Sequence, residues 1–118
     1  MISKVREELE DLDYLIDEQR LSFDRIDSST VLMEGSIIFV DGSKLEFTEF
    51  NSPDNHDYRF HFMDETEDLI KRWDNAPHHD DVETFPEHVH TEKGVEPSKE
   101  KNLVEVLNLV EDIVLNTL

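Results

Sequence analysis

The chain contains no cysteine, and only three glycines and four prolines are spread over its 118 residues. Without thiols there is no disulfide framework, no thiolate metal site and no cysteine nucleophile, and a reducing compartment is the natural setting. Gly35, Gly42 and Gly94 stand alone, so no glycine-rich loop can cradle a nucleotide's phosphates, and no serine lies in a nucleophile elbow. Dehydrogenase, kinase, serine-hydrolase and zinc-finger chemistries fall away. Long apolar runs are missing too: segments such as Val31–Met33 are far short of a membrane span. The opening MISKVREELEDL is charged within four residues and has no apolar signal-peptide core, so a cytoplasmic protein without a membrane is expected.

Positive charge is the scarcest feature: 11 Lys and Arg face 30 Asp and Glu, a net charge of −19. A field of that sign repels polyanions, because nucleic-acid affinity depends on cations that displace counterions from phosphates. Broad, non-specific nucleic-acid binding is therefore not expected, although a local basic spot can hold one strand. A basic partner protein meets this charge more readily, and the surplus acids also serve solubility. Hydrophobic residues make up 36% of the chain and charged residues 35%, a balance that borders on disorder. Seven Phe, one Trp and two Tyr, together with periodic apolar spacing, argue instead for a folded chain. At this length one domain, 1–118, with one core is expected.

Val5, Leu9, Leu12, Leu15 and Ile16 form one apolar stripe and predict a helix over 3–18, with Ser3 as N-cap. From residue 20 the period becomes two, giving strands over 20–27, 30–40, 44–50, 58–64 and 69–75. Asp41-Gly42 suits a two-residue hairpin turn, and NSPDNHD (51–57) is built of turn formers. Residues 76–99 lack apolar periodicity and contain Pro77, Pro86, Gly94 and Pro97, so they read as a mobile, histidine-rich loop. Leu103, Val106, Leu107, Val110, Ile113 and Val114 then mark a helix over 98–117, with Ser98 as N-cap. The expected fold is α+β: an antiparallel five-stranded meander over 20–75, with an N-terminal and a C-terminal helix packed on one face. The last stripe would also suit a seam between two copies, a homo-oligomer.

Chemistry concentrates near the carboxyl end. If 58–64 and 69–75 pair as a hairpin closed by residues 65–68, Tyr58, Phe60, Phe62, Leu69 and Trp73 share one face, with Lys71 as a polar exception. The other face carries Arg59, His61, Met63, Ile70, Arg72 and Asp74, with Arg59 opposite Asp74 and His61 opposite Arg72. Guanidinium groups beside a histidine are what an anionic group could meet; the bland alternative is an inert solvated face. Four of the six histidines, His78, His79, His88 and His90, follow within a short segment. His88 and His90 project to one side of an extended stretch and are candidate ligands for a divalent metal, with His78 or His79 and Asp74 or Asp80 completing the set. The same groups could work without metal as general acid and base in phosphodiester cleavage.

YRFHFMD, RWDNAPHH and FPEHVH, within residues 58–90, resemble the signature region of TumE-like toxins of prokaryotic toxin–antitoxin pairs. Tyr58, Arg59, His61, Met63, Asp64, Arg72 to His79, Phe85, Pro86, His88 and His90 carry the resemblance. Glu87 and Val89 stand where that family tends toward histidine and lysine, and the 64–68 turn lacks its usual glycine. The resemblance implies a type II toxin with a cognate antitoxin. RNA is the expected substrate, with Arg59, His61, Arg72, Asp74, His78 and His79 as the catalytic candidates. The competing reading is a non-enzymatic acidic module that holds a protein partner.

Overall fold

The computed structural model describes residues 2–118. Its frame is one antiparallel sheet of seven strands in sequential order: β1 (Ile16–Asp27), β2 (Thr30–Phe39), β3 (Lys44–Asn51), β4 (His56–Met63), β5 (Leu69–Asp74), β6 (His88–Thr91) and β7 (Gly94–Pro97). Two helices, α1 (Ile2–Asp11) and α2 (Leu103–Thr117), precede and follow it. Five strands were expected. The two additional ones form a hairpin inside the supposed 76–99 loop, pairing His88 with Pro97 and Thr91 with Gly94. Four-residue strands leave too few positions for alternation to register, and Pro97 at a sheet edge argues against a strand by residue type alone.

The first helix is shorter than its stripe. It stops at Asp11, a 3-10 turn spans Asp13–Leu15, and β1 starts at Ile16. Leu12 and Leu15 are buried all the same, because a tight turn can keep an apolar residue facing the core after the helical hydrogen bonds end. At the other end Asn102, not Ser98, caps α2: its side chain accepts from the Glu105 amide at 2.9 Å, and the Glu105 side chain accepts from the Asn102 amide at 3.1 Å. This reciprocal box satisfies two of the helix's otherwise orphaned donors.

Side-chain alternation sends Met33, Ile37, Leu45, Phe47, Tyr58, Phe60, Phe62 and Trp73 to the covered face, where they merge with Val5 and Leu9 of α1 and Leu103, Val106, Leu107, Val110 and Val114 of α2 in one buried cluster. The C-terminal stripe is thus spent on the core. The opposite face carries two polar rows across the strands. Arg20, Ser36, Glu46, His61, Arg72 and His90 form one, and Ser22, Glu34, Thr48, Arg59, Asp74 and His88 the other. One assignment is reversed by a bulge at Ile70: Phe62 pairs with Lys71 but Met63 pairs with Leu69. Leu69 therefore leaves the core face and is 36% exposed, while Ile70 packs against the core.

The β2–β3 turn uses three residues, Val40 to Gly42, with the Phe39 amide donating to the Ser43 carbonyl at 2.9 Å. Only Gly42 takes a positive φ, +87°, so the two-residue turn is replaced by one whose last residue is left-handed. The β4–β5 turn has no such residue and puts Glu67 at φ +67° instead. Asp64 Oδ1 holds that turn by accepting from the Thr66 and Asp68 amides at 2.8 and 3.0 Å. A left-handed L-residue costs roughly 1–2 kcal/mol, and the Glu67 contact with Lys44 is exposed and long at 3.6 Å. Glu67→Gly is expected to raise stability by about 0.5–1 kcal/mol, after the loss of unfolded-state restriction is offset; urea denaturation reads this directly.

Candidate functional site

The β4–β5 ribbon brings Arg59 opposite Asp74 and His61 opposite Arg72, with β6 adding His88 opposite Asp74 and His90 opposite Arg72. All six point away from the core because each sits one residue from a core-facing neighbour: Phe60 on β4, Trp73 on β5 and Val89 on β6. Cross-strand neighbours have Cβ atoms only roughly 5 Å apart, so three short strands collect these side chains into one patch.

Asp74 is its centre. Only 3% exposed, it holds Arg72 Nε at 3.1 Å and His90 Nε2 at 3.5 Å on Oδ2, and His88 Nε2 at 2.8 Å on Oδ1. The Ala76 amide donates to Oδ1 at 3.1 Å. His88, 2% exposed, has its Nδ1 against the Pro86 carbonyl at 2.9 Å and its Nε2 3.1 Å from His90 Nε2. His79 folds over the group, its ring centroid 4.8 Å from that of His88 and 5.3 Å from that of His90. The ligand-capable atoms of His79, His88 and His90 all lie within 4.8 Å of one another.

The loop before β6 reaches this place through a chain of tight turns, Val82 to His79, Phe85 to Val82 and Glu87 to Thr84. Thr84 fastens it, donating to the Glu87 carbonyl at 2.6 Å and accepting from the Ser98 amide at 2.9 Å. Asn75 closes the β5 end by donating to the His56 carbonyl at 2.6 Å and accepting from the Tyr58 amide at 3.1 Å.

His61 and Arg59 lie beside the cluster. His61 is half-buried, and burial, followed by the charges of Arg59 and Arg72, holds its pKa below the ordinary histidine value against a weaker opposing pull from Glu46. Its Nδ1 is buried without a hydrogen-bond partner. Arg59 is exposed, makes no ion pair among the described residues, and borders a cleft of about 400 Å³ shared with Thr48, Phe50 and Pro77. His90 is also held below the usual value, first by burial, against the opposing pull of Asp74, and then by its neighbours His88, Arg72 and His79.

His78 does not join: it is exposed, while its neighbour His79 is partly buried against His88 and His90. Asp80 is likewise exposed, so Asp74 is the carboxylate at the cluster. Phe85, in the same loop, is 44% exposed. Residue spacing did not reveal the Pro86 carbonyl or the Ala76 amide as partners, since both depend on how the loop folds back. A second buried network was missed as well: Glu49, 1% exposed, links His56 to the first amide of α2.

A family model described as "Toxin TumE" matches residues 5–114, nearly the whole chain. No curated protein and no solved structure matches it.

Proposed function

The chain belongs to the TumE toxin family, and from that premise we propose that it is the toxin of a type II toxin–antitoxin pair, cleaving RNA on the open face of its sheet. The observation that carries this reading is the patch in which Arg59, His61 and Arg72 adjoin the Asp74–His88–His90 network. Each part has a task in phosphodiester cleavage. Arg59 and Arg72 offer donors to phosphate oxygens. His61, kept neutral by burial and by those two cations, is suited to take the 2′-hydroxyl proton. Across Arg72 stand His79, His88 and His90, where charge developing on the departing oxygen can be met. The cleft beside Arg59, with Phe50 on its wall, gives an adjoining base a ring to lie against.

Net charge of −19 restricts such a substrate to this one cationic patch and favours a basic antitoxin, whose encounter the same field speeds. Inducing the chain alone should arrest growth, co-expression with the neighbouring gene should relieve the arrest, and the purified chain should cut RNA to 2′,3′-cyclic phosphate ends. Growth without arrest together with intact RNA would overturn the reading. Arg59→Ala, an exposed change, is expected to leave stability within about 0.5 kcal/mol. It should lower kcat/KM for RNA by about 10–100-fold, the loss of one charged hydrogen bond.

A further inference from the structure

We infer that His79, His88 and His90, with the Asp74 carboxylate beside them, form a binding site for one divalent transition-metal ion of zinc-like preference. The hydrogen-bond geometry of His88 is the first reason. Its Nδ1 faces the Pro86 carbonyl at 2.9 Å, and a carbonyl oxygen only accepts, so the ring's proton sits on Nδ1. The lone pair on Nε2 is then aimed at a carboxylate oxygen 2.8 Å away and at another imidazole nitrogen 3.1 Å away. The Nε2 atoms of His88 and His90 and the Asp74 carboxylate thus gather inside the protein, Asp74 and His88 being 3% and 2% exposed, and a cation held among them satisfies all of these groups at once when both nitrogens are deprotonated. A proton would satisfy one pair. A metal satisfies the whole set.

The spacing agrees. Zinc holds nitrogen ligands at about 2.0–2.1 Å in tetrahedral sites, which places ligand atoms about 3.4 Å apart. The His88–His90 and Asp74 Oδ2–His90 separations, 3.1 and 3.5 Å, lie near that value, while Asp74 Oδ1 sits closer to His88, at 2.8 Å, and would move out as an ion enters. His79, on the loop, brings a ring nitrogen within 4.8 Å of those of His88 and His90. The outer partners match those of a built site: a carbonyl on the far nitrogen of His88, and Arg72 and the Ala76 amide on the carboxylate. Imidazole nitrogens with a single carboxylate select zinc and its neighbours over magnesium or calcium, which require oxygen ligands. Because His79 comes from the loop while the others belong to the sheet, the ion would also pin residues 75–87 to the open face.

Binding requires nothing of the RNA-cleaving reading, and the test uses no RNA. The full chain, carrying no added histidines and stripped of metal by chelation, is titrated with Zn2+ by calorimetry. One ion per chain is expected, released protons excepted from the count, with a rise in melting temperature as zinc saturates the site. Loss of an outer partner typically weakens a metal site roughly 10–100-fold, so removing a ligand through His90→Ala or His79→Ala should weaken it by more than about 100-fold. Both side chains are only partly buried, so these variants should fold; circular dichroism confirms that they do. His78→Ala is expected to leave the affinity unchanged. Imidazole 15N spectra should show the Nε2 signals of His88 and His90 moving on zinc addition, with Nδ1 of His88 protonated throughout. Absence of saturable binding, affinity indifferent to His79→Ala and His90→Ala, or a His88 ring doubly protonated and unmoved by zinc would each overturn the inference.

Discussion

His56→Ala is expected to destabilise the fold by about 3 kcal/mol, a fall of roughly 10 °C in melting temperature. Glu49 is the reason. It lies opposite Tyr58 on the covered face and is 1% exposed. One carboxylate oxygen accepts from the Leu103 amide at 3.1 Å, at the start of α2, and the other meets His56 Nε2 at 2.6 Å. His56 in turn reaches Glu100 with Nδ1 at 2.6 Å. Removing the imidazole leaves a carboxylate enclosed in the core with one amide donor. Deleting one partner of a buried pair costs about 3–5 kcal/mol, and the lower end applies because the His56 side chain is 19% exposed and the Leu103 amide stays.

The same network gives a pH signature of known sign. Burial opposes the charged imidazole, but the hydrogen bonds to Glu100 and then Glu49 outweigh it and raise the pKa of His56 above its ordinary 6.5. A group whose folded pKa is raised contributes stability that is fully present below its unfolded value and is lost as pH climbs through the folded value. The wild-type chain should therefore lose stability as pH rises above about 6.5, by more than His56→Ala does, and the difference between the two denaturation profiles isolates this group from the general repulsion of the surplus acids. Parallel profiles between pH 6 and 9, or a cost under 1 kcal/mol at pH 6, would show that Glu49 does not depend on His56.

The extent to which residue patterns revealed this molecule follows the range of the forces involved. Alternation in Tyr58, Phe60 and Phe62, and the stripe from Leu103 to Val114, are local consequences of burying one face, so the α+β class and the Arg59–Asp74 and His61–Arg72 register were legible. The hairpin of His88–Thr91 and Gly94–Pro97 was not, because Val89 contributes the only side chain of those eight residues packed against the core. Glu67 at positive φ was invisible for the opposite reason: surrounding strands impose the turn on a residue that does not prefer it. At the candidate site, the sheet-borne residues could be placed by parity alone. His78 and His79 could not, since which of two adjacent loop histidines turns inward depends on the Thr84–Ser98 fastening, a contact between segments with no pattern of their own.

If the chain cleaves RNA as proposed, Asp74→Asn is expected to reduce that cleavage by about 10²–10⁴-fold, the range over which positioned proton-transfer and charge-stabilising groups act, and to abolish growth arrest. The substitution keeps the shape and leaves an oxygen for the Ala76 amide. It removes the charge that holds Arg72 at 3.1 Å and draws His88 and His90 to one point. Without it the Arg72 guanidinium is free to swing from the patch, and His88 and His90 lose the charged carboxylate beside them. The loss should fall mainly on kcat, because exposed Arg59 still draws the phosphate in and sustains ground-state binding. The variant should still bind the proposed antitoxin, as the carboxylate is 3% exposed and offers a partner almost no surface. A folded Asp74→Asn chain that still arrests growth and cuts RNA within about tenfold of the wild-type rate would place the chemistry elsewhere than the open face of β4, β5 and β6.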